Sequence, residues 1–99
     1  MSENSEFRDL IDRVRARDQD AARELVTRYE GAIRRVIRIQ MRDARLRQLL
    51  DSTDVCQSVL ATFFVRTALG QYELDSPAQL IGLLTTIARN KLVNQVDRM

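Results

Sequence analysis

Apolar residues recur at helical spacing along most of the chain. Phe7, Leu10, Ile11 and Val14 predict a short helix over about residues 5–16. Asp18 or Asp20 can cap a second helix that runs to about Met41. Ala22, Leu25, Val26, Tyr29, Ile33, Val36, Ile37 and Met41 form its apolar stripe, with Arg28, Arg35, Arg38 and Arg42 on the other side. Residues 42–51 are polar and charged apart from Leu46, Leu49 and Leu50, and read as a loose connection.

A third helix opens near Ser52 and ends before Gly70, a residue suited to the left-handed position after a helix. The fourth has the clearest start. Ser76-Pro77-Ala78-Gln79 supplies a capping serine, proline at the first helical position and glutamine at the third. From there nothing breaks the helix before the C-terminus. No repeat or low-complexity tract interrupts the chain. The pattern therefore predicts an all-α fold, a small bundle of three to four helices, with residues 1–99 as a single domain.

Composition narrows the chemistry. Among 99 residues there is no His and no Trp, with one Cys, one Pro and three Gly. Without His and with one Cys, the usual zinc site and the Cys/His nucleophile pair cannot be assembled. Cys56 cannot form an internal disulfide, which suits a reducing cytoplasm, the expected location. No apolar run approaches the ~20 residues that span a bilayer. The polar, acidic start Met1-Ser2-Glu3-Asn4-Ser5-Glu6 does not read as a secretory signal. Neither a cofactor nor a metal is expected.

Charge is distributed unevenly. Fifteen of the 16 cations are Arg, Lys91 being the exception. Residues 28–50 hold seven Arg against Glu30 and Asp43, a local +5, whereas residues 51–75 sum to −3. Such a band suits phosphate, whose oxygens match the Arg fork. It reads equally well as a solvated helix face.

Two helical faces depart from a plain bundle. On the third helix Val55, Cys56, Val59, Leu60, Phe63 and Phe64 form a broad apolar arc, opposite Asp54, Gln57, Ser58 and Ala61. That small polar face would let another helix lie against it. Its plainer reading is Asp54 serving the first turn and Gln57 in solvent. On the fourth helix the Leu80, Leu83, Leu84, Ile87 and Ala88 stripe gives way to Lys91, Gln95 and Arg98. Apolar character shifts to Leu92, Val93 and Val96, beside a ridge of Thr86, Asn90, Asn94 and Asp97. Amide and hydroxyl groups suit base edges and cations suit phosphates, though an ordinary exposed face fits the same pattern. Cys56 reads as a small core residue. Tyr72, in the Gly70–Ser76 loop, is placed either to stack a base or to fold back on the bundle.

Read together, Asp54-Val55-Cys56-Gln57-Ser58-Val59-Leu60 and Leu83-Leu84-Thr85-Thr86-Ile87-Ala88-Arg89-Asn90-Lys91 resemble two motifs of bacterial sigma factors. The first is similar to the family's D-x-x-Q-x-V-F helix and the second to its W-L-x-x-I-A-x-N helix. Order, separation, the loop aromatic and Arg98 agree with the extracytoplasmic-function (ECF) group. The resemblance covers about residues 20–99, the second conserved domain (region 2) of such factors.

The resemblance implies a transcription initiation factor, not an enzyme. It implies docking of the third helix on the clamp helices of the RNA polymerase β′ subunit, through Asp54 and Gln57 with Leu60 and Phe64 as apolar contacts. It also implies capture of the unpaired non-template strand of the promoter −10 element by the last helix and its preceding loop. Thr86, Asn90 and Asn94 would face bases, Lys91 and Arg98 the backbone, and Tyr72 falls where the family often has a loop aromatic. An anti-sigma factor is a further possible partner; a membrane is not. Several positions depart from the family pattern. Leu83 stands for the usual Trp, the last helix has no aromatic residue, Asn94 stands at an often acidic position and Asp97 at a commonly basic one. The family's −35-reading domain is expected to be absent from this chain, as in a fragment or a truncated factor.

The competing reading is a helical protein-interaction module, a regulator that binds a partner helix without DNA. A hydrolase using Asp51 and Asp54 with a metal is disfavoured, because two carboxylates at a helix start more often serve the cap and the dipole.

Overall fold

The computed structural model describes residues 3–42 and 44–97 and contains five helices. They are α1 (Glu3–Arg15), α2 (Gln19–Gln40), α3 (Ala44–Leu49), α4 (Ser52–Ala68) and α5 (Pro77–Asp97). No strand occurs among the described residues. The all-α expectation holds.

The caps explain most boundaries. Asp18, not Asp20, starts α2: its carboxylate accepts the N–H groups of Asp20 at 2.9 Å and Ala21 at 3.3 Å. These bonds, Ala21's first, and the nearby Arg13 hold the Asp18 carboxyl below its ordinary value. Asp51 starts α4 by accepting Thr53 N–H at 2.8 Å. At α5, Gln79 N–H donates to Ser76 Oγ at 3.4 Å. The Gln79 side-chain oxygen reaches back to Asp75 N–H at 2.6 Å, one residue before the cap.

Helices α1 and α4 end alike. Past α4, Gly70 N–H donates to Thr67 O and Gln71 N–H to Arg66 O, with Gly70 at φ 75°. Past α1, Arg17 N–H donates to Val14 O and Asp18 N–H to Arg13 O, and Arg17 takes the left-handed position at φ 64°. Both are Schellman ends, which satisfy otherwise orphaned carbonyls. Only α4 has the glycine that such an end favours.

Helix α2 packs against α1, α4 and α5, and α4 packs against α1 and α5. Phe7, Leu10, Ile11 and Val14 of α1 are all buried, as the spacing predicts. In α2 the buried set is Ala21, Leu25, Ile33, Val36 and Ile37, continued by Met41. Ala22, Val26 and Tyr29 are half-buried, so the stripe begins one position earlier than expected. Val55, Val59, Phe63 and Thr67 of α4, and Leu80, Leu84, Ile87, Ala88 and Leu92 of α5, complete the core.

The stretch 42–51 is a correction. It is not a loose connection but holds the helix α3, anchored by buried Leu46 and half-buried Leu50. Leu46, Leu49 and Leu50 stand at i, i+3 and i+4, a helical signal in a segment whose charge suggested a loop. Leu49 is nonetheless 62% exposed.

Candidate functional site

Helix α4 separates its two sides. Burying Val55, Val59 and Phe63 turns Asp54, Gln57, Ser58 and Ala61 outward, and all four are exposed. Asp51 carries the cap, which leaves the Asp54 carboxylate, one turn from Gln57, with no side-chain partner among the described residues. Two polar side chains therefore stand side by side, available to a partner.

The expected apolar contacts fall in two places. Gln57 and half-buried Leu60 line a groove of about 690 Å³ between α2, α3 and α4. Its floor includes Ile33, Ile37 and Met41, and Arg34, Arg38 and Arg47 line it as well. Phe64 instead packs edge-on against Phe63, with centroids 5.4 Å apart. It lines a separate depression with Val14, Ala22, Val65 and Leu69. The structure thus groups Gln57 with Leu60 and sets Phe64 apart. Cys56, half-buried in the groove wall, has its thiol pushed up by desolvation, with Arg34 opposing and Glu30 adding to the shift.

On α5, Thr86, Asn90 and Asn94 are exposed along one line and Lys91 is half-buried beside them. The ridge follows from the core, since burying Leu84, Ile87, Ala88 and Leu92 leaves these positions outside. Thr86 donates its hydroxyl to Gly82 O at 3.1 Å, as Thr85 does to Ile81 O at 2.8 Å. Arg98 lies outside the described residues, and Asp97 is described only as helical backbone.

Tyr72 is half-buried and folded back. Its ring lies parallel to Phe63, and its hydroxyl accepts from Arg66 Nη1 at 3.4 Å. Arg15 of α1 donates to its backbone carbonyl. Arg15, Arg66 and the buried Leu74 of the same loop were not among the sequence candidates.

The basic band is mostly open. Arg28 pairs with Glu24 at 3.5 Å and Arg34 with Glu30 at 2.6 Å, both one turn apart on α2. Arg35, Arg38 and Arg42 are exposed. No group of three or more potential metal-ligating side chains occurs among the described residues. None of the helices is long and apolar enough to cross a membrane.

Two exposed polar faces thus stand on a closed helical core. A family model described as ECF sigma factor matches residues 4–99, nearly the whole chain. The chain belongs to the ECF sigma factor family. Membership makes it a transcription initiation factor, a non-enzymatic role whose partners are RNA polymerase core and promoter DNA, often with anti-sigma factors. No curated protein and no solved structure matches the chain.

Proposed function

We propose that residues 1–99 form a region 2 domain that docks on the β′ clamp helices through α4 and captures the single-stranded −10 element with α5 and the loop before it. The observation that carries this reading is the pairing of Asp54 and Gln57, exposed one turn apart on α4 and next to the groove that Gln57 shares with Leu60. A partner helix laid on this face would meet polar groups first and an apolar groove beside them. Phe64, facing a different depression, contributes less to that contact than Leu60.

On α5, Asn90 and Asn94 present donors and acceptors to solvent, and Lys91 supplies charge beside them. Single-stranded DNA offers unpaired base edges that such side chains can meet, with phosphates for the cations. Arg98 joins the backbone contacts by the family's pattern. Tyr72 contributes from its packed-back position against Phe63.

The deciding experiment measures binding of the chain to the isolated β′ clamp-helix segment, comparing wild type with Asp54→Ala and Gln57→Ala. Both substitutions should weaken binding while circular dichroism stays unchanged. A folded wild type that does not bind would refute the docking half of the proposal.

A second reading, a protein-interaction module without DNA binding, draws on Val65 and Leu69 of the second depression, 61% and 62% exposed. Salt separates the two. Capture of a phosphate backbone weakens steeply as salt rises, whereas apolar helix packing does not.

A further inference from the structure

Residues 69–76 connect α4 to α5 without secondary structure of their own, yet they are tied down from behind by α1. Arg15, in the last turn of α1, donates from Nη2 to the carbonyl of Tyr72, 57 residues further along the chain. Arg8, about two turns earlier, pairs with Asp75 at 3.3 Å. Leu74 is buried between these two ties. The Tyr72 ring and hydroxyl are held by α4, through Phe63 and Arg66. One loop residue thus has its carbonyl fixed by α1 and its side chain by α4.

The two ties from α1 are unequal. The Arg8–Asp75 pair has both side chains more than half exposed and adds little. The Arg15 bond is charge-assisted and partly buried, so it is the stronger. Arg15 also lies 3.7 Å from Asp12, one turn back on α1, which orients the guanidinium. Its Nε–H is buried without an acceptor among the described residues, so its hold on the loop runs through Nη2. Leaving a buried donor unpaired is unfavourable, and the Nη2 bond to the Tyr72 carbonyl and the Asp12 pair are what hold the guanidinium in place.

We propose that α1 is a brace for the α4–α5 loop and that Arg15 is its positioning residue. By pinning the Tyr72 carbonyl, Arg15 sets the path of the loop that leads into α5 before any strand arrives. The ordering cost of the loop is then met in the free protein and not at binding. The inference rests on the reading of this loop as part of the strand-capturing surface, but the brace itself can be tested without DNA.

The first arm follows amide hydrogen exchange of the full chain in wild type, Arg15→Gln and Arg15→Lys. Arg15→Gln should speed exchange at the hydrogen-bonded loop amides of Gln71 and Asp75 by roughly five- to tenfold, the worth of one such bond, and leave core amides of α2 and α4 unchanged. Arg15→Lys, which keeps a charged donor, should restore part of the protection. Unchanged loop exchange in Arg15→Gln overturns the brace. If that variant loosens the whole core, Arg15→Met, which keeps the apolar stem and drops every donor, makes the same comparison: a selective acceleration at the same amides supports the brace and none overturns it.

The second arm measures fluorescence anisotropy of a fluorescein-labelled, random-sequence single-stranded DNA pool at several salt concentrations. Arg15→Gln should weaken binding roughly three- to tenfold with an unchanged salt slope, because a positioning residue neutralises no phosphate. A slope reduced by about one would make Arg15 a phosphate ligand and overturn its positioning role. A wild-type chain that fails to bind the pool sinks the promoter reading, while the exchange arm still decides the brace.

Discussion

Phe63 and Tyr72 stack nearly parallel, with ring centroids 6.3 Å apart and planes inclined by 7°. Phe63 is fully buried in α4, and Tyr72 is half-buried in the loop that leads to α5. The pair links the domain's core to the surface proposed to meet the promoter, so a change at the core ring should be felt at the loop.

Phe63→Ala removes a buried ring that touches both Phe64 and Tyr72. Its expected cost is about 3–5 kcal/mol, from lost burial and the cavity left behind. Urea unfolding followed by far-ultraviolet circular dichroism checks this, and an unchanged midpoint would contradict the burial of this face.

The two Schellman ends predict opposite responses. Arg17 sits at φ 64° where glycine would be unstrained, so Arg17→Gly should raise stability by about 0.5–1 kcal/mol. Gly70→Ala, at φ 75°, should lower it by about 1–2 kcal/mol. Thermal melts of the two variants beside wild type test the pair together, and movement in the same direction would refute the argument.

Acid should act on the start of α2. The folded-state pKa of Asp18 lies below its ordinary value of 3.8, so its contribution is fully present above that value and fades as pH falls through the folded one. Asn caps a helix about as well as Asp but does not titrate in this range. Asp18→Asn should therefore be slightly less stable than wild type at neutral pH, where it lacks the charge that Arg13 meets, and should lose less stability as pH falls below 3.8. Identical acid-unfolding curves would count against this role for Asp18.

Asn90→Ala should weaken binding of single-stranded DNA by roughly fivefold, the worth of one exposed hydrogen-bonding group. Clamp-helix binding and the melting temperature should not move, because Asn90 is exposed and lies on α5, not on α4. Parallel titrations with DNA and with the clamp segment make the comparison. Equal losses in both would indicate damage to the fold.

Local rules reached far into this structure. Four apolar positions of α1 were readable because a short amphipathic helix has one way to bury them. Ser76, Pro77 and Gln79 marked the start of α5 because cap chemistry is local. The exposure of Thr86, Asn90 and Asn94 followed from the core stripe beside them. Helix α3 was missed because its charge outweighed a three-leucine signal. The hold of Arg15 on Tyr72 was illegible for a different reason: its partners are 57 residues apart and meet only after α1 packs against α4. Nothing in the spacing separates Phe64 from Leu60 either. Their assignment to two depressions depends on which neighbouring helix lies over each.

The bond from Thr86 to the Gly82 carbonyl has a consequence for base preference. A hydroxyl has one proton, and this one is already committed to the backbone. While that bond holds, Thr86 offers only lone pairs to whatever lies above it. An exocyclic amino group of adenine or cytosine finds a partner there, and the carbonyl oxygen of thymine does not. One turn of helix backbone thus gives a residue with two hydrogen-bonding capacities a single polarity toward any group that meets it.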